Sequence, residues 1–196
     1  MKKSIVALLG LAVLLGGCSK NVGYGDAQEV ETTTVDFGST DLQKIAGEMV
    51  DSMLNSGSVA ALTKDKRPIV FVERIKNKTS EHIDTESVTD SISTKLLNSG
   101  KFRFVDMDRV ESVRKQLDFQ NDDELVNQNT AIQFGQMVGA QYMLYGNLSS
   151  IVKSDGSDKD VYYKMTMRLM DLKSGLIEWA DETEIRKKES KSFLGL

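Results

Sequence analysis

The sequence predicts an α/β fold: a single domain with a mixed sheet that ends in an antiparallel meander, and helices packed on it. Three observations predict it. Early segments carry apolar residues at steps of three and four, as amphipathic helices do. Short β-branched and aromatic runs punctuate them. The last third changes to strict alternation, the period of a half-buried strand. With 196 residues and 40% hydrophobic side chains, the chain has material for one compact domain plus tails.

The N-terminus reads as an address. Lys2 and Lys3 precede an apolar run from Ile5 to Leu15, broken only by Gly10. A spanning helix needs about 20 apolar residues, so this run has the length of a signal-peptide core instead. Leu15, Gly16, Gly17 and Cys18 follow, the pattern of a lipobox, and Cys18 is the only cysteine. Residues 1–17 are therefore expected to be a lipoprotein signal peptide, and Cys18 the lipidated residue. Ser19, not Asp, comes next, which implies sorting to the outer membrane, facing the periplasm. Removing Lys2 and Lys3 leaves 23 basic against 29 acidic side chains, a formal charge of −6. Residues 19–36 are poor in apolar side chains and contain no proline. With Cys18 they read as a flexible tether, 18–36, reaching at most ~60 Å when fully extended. The folded domain is assigned to residues 37–196.

A first helix begins at Ser39 or Thr40, with Thr40 and Gln43 as a capping box. Leu42, Ile45, Ala46, Met49, Val50, Met53 and Leu54 form its apolar stripe, and Gly57 is its expected stop. Ile69 to Val72 is a buried strand, followed by a polar loop from Arg74 through His82. Asp84 or Thr85 caps a second helix that presents Val88, Ile92 and Leu96 and ends at Asn98-Ser99-Gly100. Phe102 to Val105 is a brief strand. Asp106 or Asp108 opens a third helix with Val110, Val113, Arg114 and Leu117 in register. Gln120 to Asn129 reads as a loop, and Thr130 with Gln133 as the capping box of a fourth helix carrying Phe134 and Val138. A strand starts at Tyr142 and turns at Ser154–Ser157. The next places Val161, Tyr163, Met165, Met167 and Leu169 on one face, and Tyr162, Lys164, Thr166 and Arg168 on the other. Lys173-Ser174-Gly175 turns into a last strand, from Leu176 to Ile185.

Composition excludes several chemistries. One Cys excludes a disulfide framework, and one His excludes any metal site needing two imidazoles. No basic tract marks a nucleic-acid binder. His82 stands in a charged loop with no nucleophile elbow in the sequence. Asp155, Asp158 and Asp160 lack the register of a calcium loop and read as a polar hairpin turn. Arg74, Lys76 and Lys78 have no phosphate-cradling glycine motif beside them and read as a solvated face or a surface for an anionic partner. Met165 and Met167 read as core, and no carboxylate pair stands out.

The stretch from Ile69 to Glu184 resembles the outer-membrane lipoprotein activators of penicillin-binding proteins, the LpoB family. The residues that carry it are Ile69-Val70-Phe71-Val72 with Lys76-Asn77-Lys78-Thr79, and Leu96-Leu97-Asn98-Ser99-Gly100 running into Lys101-Phe102. With them go Gly139-Ala140-Gln141-Tyr142-Met143-Leu144-Tyr145-Gly146, and Met170-Asp171-Leu172-Lys173-Ser174-Gly175 with Ile177 and Trp179. The resemblance implies a monomeric non-enzyme with no cofactor and no metal. Its partner would be the regulatory periplasmic domain of a bifunctional penicillin-binding protein, so that it regulates peptidoglycan synthesis and cell shape. It implies a long, Pro-rich tether as well, from which residues 19–36 depart. The candidate contact surface combines Lys76, Asn77, Lys78 and Thr79 with Thr130, and with the turn of Lys173 and Leu176. The competing reading is an oligomeric envelope assembly or secretion accessory lipoprotein of the curli or flagellar type.

Overall fold

The structure, a computed structural model, describes residues 23–30, 34–116, 128–156 and 158–190. Cys18 and Leu117 lie outside them, as does most of the expected 120–129 loop. Among the described residues the elements run α1 (Ser39–Asn55), α2 (Gly57–Leu62), β1 (Ile69–Val72), β2 (Lys76–Lys78), α3 (Thr85–Asn98), β3 (Arg103–Phe104), α4 (Met107–Gln116), α5 (Gln128–Val138), β4 (Tyr142–Asp155), β5 (Asp158–Asp171) and β6 (Ile177–Glu189). The sheet order is β3-β1-β4-β5-β6. β1 lies parallel to both β3 and β4, and the β4-β5-β6 meander is antiparallel. This is the predicted mixed α/β sheet. No described helix is long and apolar enough to cross a membrane.

Period-two alternation gives the sheet two dissimilar faces. Val161, Tyr163, Met165, Met167 and Leu169 of β5 are all buried, as are Val70, Val72, Leu144 and Leu148. They pack against α1, through Ile45, Met49 and Met53, and α3, through Val88, Ile92 and Leu96. Among the described residues, the opposite face is covered at one end only. There Phe71 and Met143 meet Val110 and Val113 of α4, Phe134 and Val138 of α5, and Leu172. Phe71 and Phe134 stack edge-to-face at 5.0 Å. Gly139, at φ 78°, turns the chain from α5 into β4.

Several boundaries differ from the sequence reading. Gly57 starts the short α2 instead of merely ending α1, because the chain breaks at Ser56 in an extended conformation. Thr40 sits inside the first turn of α1, with Gly38 at the cap, and the Asp41 carboxylate accepts the Gly38 amide at 2.9 Å. α5 begins at Gln128, so Asn129 is helical and Thr130 lies in the first turn. The polar 74–82 segment contains a strand: β2 pairs in parallel with residues Asn147–Ser149 of β4. β4 outruns β1, and the backbone groups it leaves open past Leu144 accept a second short strand.

The chain joins the domain before residue 37. Val35 is buried, and the Tyr163 hydroxyl lies 3.2 Å from its carbonyl. Asp36 pairs with Lys159 at 2.9 Å, and its carbonyl accepts from the Lys187 ammonium at 2.7 Å. Further back, the Gln43 side chain donates to the Ala27 carbonyl at 2.8 Å.

Candidate functional site: a basic cleft on the open sheet face

Where β1 gives way to β2, three residues take three different directions. Ile75 is buried under α3, and its amide donates to the Thr89 hydroxyl at 3.2 Å. Glu73 turns to the opposite face, its amide bonded to the Leu144 carbonyl at 2.8 Å. Its nearly buried carboxylate pairs with Arg114 of α4, whose guanidinium lies 5.9 Å from the centre of the Phe134 ring. Arg74 points outward to Glu86 at 2.9 Å, an exposed pair that contributes little to stability.

These turns open a cleft of about 250 Å³, lined by Glu73, Arg74, Lys76, Lys78, Met143, Tyr145, Gly146, Asn147, Arg168 and Met170. Lys76 and Lys78 are two residues apart on β2 and so share a face. Arg168 stands opposite Tyr145 in the β4–β5 ladder, and Met170 opposite Met143. Asn147 is fixed by its bond to the Thr166 hydroxyl at 2.9 Å. Gly146 lets the strands close up, since a Cβ there would sit 2.3 Å from the Thr166 carbonyl. The result is four cations around a partly apolar floor, in a chain whose formal charge is −4. Such a cleft attracts carboxylates and raises the rate of encounter with an acidic surface.

Of the residues expected at a contact surface, Lys76 and Lys78 line this cleft. Asn77 and Thr79 are occupied in shaping the loop. The Asn77 amide donates to the Glu81 carbonyl at 2.9 Å, and its oxygen accepts the Thr79 amide at 2.9 Å. Thr130 lies in the first turn of α5. Lys173 and Leu176 are at the other end of β4. Their turn is built on Asp171, whose carboxylate accepts the amides of Lys173 and Ser174 at 2.8 Å, and Asp171 pairs with Tyr142. β2 pairs with 147–149, so at the rise of a strand the two groups stand roughly 17–23 Å apart. The expected surface is therefore not one patch. Sequence reasoning did not select Tyr145, Arg168 or the Glu73–Arg114 pair. The alternation of β5 does place Arg168 on the open face, but its neighbours follow only from the strand register.

The remaining candidates are absorbed by structure. Met165 and Met167 are core, and Asp160 is held by Arg186 at 3.0 Å, which pulls its carboxyl below the usual range. His82 is exposed in the loop before α3.

Comparison with known proteins places this architecture. A family model described as peptidoglycan-synthase activator LpoB matches residues 41–185. The penicillin-binding protein activator LpoB of Dickeya dadantii is 27% identical over 139 residues, covering 71% of this chain and 64% of its own length. The protein of that name from Pantoea ananatis is 31% identical over 122 residues, 62% of this chain and 58% of its own. The chain thus spans less than two thirds of these relatives' length. Among solved structures, the LpoB C-terminal domain from Salmonella enterica superposes with a TM-score of 0.56 at 23% identity, covering 74% of this chain and 98% of that domain, a likeness of fold. With a match running from the first turn of α1 to the end of the β6 core, the chain belongs to the peptidoglycan-synthase activator LpoB family.

Proposed function

We propose that this chain is an outer-membrane lipoprotein that binds and activates a bifunctional penicillin-binding protein, and so regulates peptidoglycan synthesis. The observation that carries the reading is the family match, which covers nearly all of the folded domain. It favours an activator over an oligomeric assembly accessory. The lipobox supports anchoring through Cys18 with the domain facing the periplasm. Acyl chains there give firm attachment, each buried methylene contributing about 0.8 kcal/mol.

Activation in this reading is linkage, not chemistry performed by the chain. A domain that binds the active conformation of the synthase more tightly than the resting one shifts the population toward it. The contact is centred on the basic cleft, where Lys76, Lys78 and Arg168 meet an acidic surface of the regulatory domain. The test adds the full-length chain in detergent to a purified bifunctional synthase from the same bacterium and follows glycan polymerisation. An increased rate is expected. An unchanged rate with every such synthase of that bacterium would falsify the proposal.

A further inference from the structure

The segment 34–38 and the β2 arm of the cleft meet in one residue. Glu81 sits in the loop between β2 and α3, and its carboxylate accepts the Phe37 amide at 3.0 Å and the Tyr163 hydroxyl. Phe37 packs edge-on to the Tyr163 ring at 5.5 Å. The backbone of Glu81 closes the β2 loop. Its carbonyl accepts from the Asn77 amide, and its amide donates to the Thr79 hydroxyl at 3.1 Å. Asn77 in turn lies between Lys76 and Lys78, the two cleft cations on β2. The chain arriving from the N-terminus is thus bonded to Glu81, and Glu81 is bonded to the arm that carries those cations.

A strand of three residues holds itself weakly, so its position depends on such ties. We propose that Glu81 is a positioning residue that couples the seat of segment 34–38 to the β2 arm of the cleft. Displacing the segment loosens Lys76 and Lys78, and holding it presents them. The functional half of this inference rests on the proposed contact at the cleft; the coupling itself does not.

The experiment measures amide hydrogen exchange across residues 76–81 in the full-length chain, alongside affinity for the purified synthase. Glu81→Ala removes the tie, Phe37→Pro removes the donor on the arriving segment, and Tyr163→Phe removes the hydroxyl while keeping the core filled. Each is expected to speed exchange across 76–81 by about tenfold, the scale of one lost charge-assisted hydrogen bond, and to weaken synthase binding. Glu81→Gln, which keeps an acceptor oxygen, restores part of both. Arg186→Ala breaks the Asp160 pair, which belongs neither to segment 34–38 nor to Glu81, and leaves exchange across 76–81 unchanged. Unchanged exchange in both Glu81→Ala and Tyr163→Phe overturns the coupling, and so does equal loosening by Arg186→Ala. A wild-type chain that fails to bind the synthase counts against the proposed function, while the exchange data still decide the coupling.

Discussion

Tyr163 shows how one side chain serves two purposes. Its ring fills the core, and its hydroxyl donates a hydrogen bond to the Glu81 carboxylate. Burial, and after it the hydrogen bond to Glu81 and then its negative charge, push its ionisation well above the usual tyrosine range. A raised pKa contributes stability that is complete below the unfolded value, about 10, and is lost as pH rises toward the folded one. Chemical denaturation at pH 9 and pH 11 should therefore show a loss of stability that is smaller in Tyr163→Phe. An equal loss in both would assign the effect to other groups, such as Lys159 and Lys164, whose acidic partners also raise their pKa. The Glu73–Arg114 pair poses a different residue-scale problem, because both side chains are largely shielded from water. Arg114→Met removes the guanidinium from the largely buried Glu73 carboxylate, and a loss of about 3 kcal/mol is expected in urea titration. Adding Glu73→Gln should recover much of it, since the buried negative charge is then gone.

At the scale of elements, what was readable in the sequence was local. Asp84 caps α3, accepting the amides of Glu86 at 3.1 Å and Ser87 at 3.3 Å, because both donors lie within three residues of it. Asp106 does the same for α4, accepting the amide of Asp108 at 3.0 Å. Asp84→Ala should cost about 1 kcal/mol in thermal or urea denaturation, with α3 the first helix to lose exchange protection. The period of β5 was equally readable, since alternation needs no knowledge of a partner strand. β2 was not. Lys76-Asn77-Lys78 carries no apolar residue, and it is a strand only because β4, some seventy residues later, offers an open edge there. Thr40 fails as a cap for a related reason. Several residues near a helix start are eligible, and packing of the preceding chain decides among them, as the bond from Gln43 to Ala27 illustrates.

At the scale of the whole molecule, the described helices cover the two faces of one sheet unequally, and the part of the second face they leave uncovered holds the basic cleft. The division into helix-facing and open strand residues was legible from β5 alone. Which open-face residues stand together was not, because that depends on register: Arg168 meets Tyr145, and Lys76 meets Asn147, only in the folded ladder. The same register separates the cleft from the turn of Lys173 and Leu176, so the two are distinct ends of the domain and substitutions can tell which one makes the proposed contact. Leu176 is 64% exposed, so Leu176→Asp disturbs no core. Lys76→Glu with Arg168→Glu reverses two cations that line the cleft and belong to no core. If the cleft makes the contact, the double reversal should weaken synthase binding at least tenfold and flatten its dependence on salt, because the attraction lost is the part that salt screens. Leu176→Asp should then leave both affinity and salt dependence unchanged. The opposite pattern, with binding lost in Leu176→Asp and kept in the double reversal, would move the contact to the β5–β6 turn. A hydrophobic contact at that turn would also respond little to ionic strength, so salt dependence of the wild-type chain alone already separates the two ends.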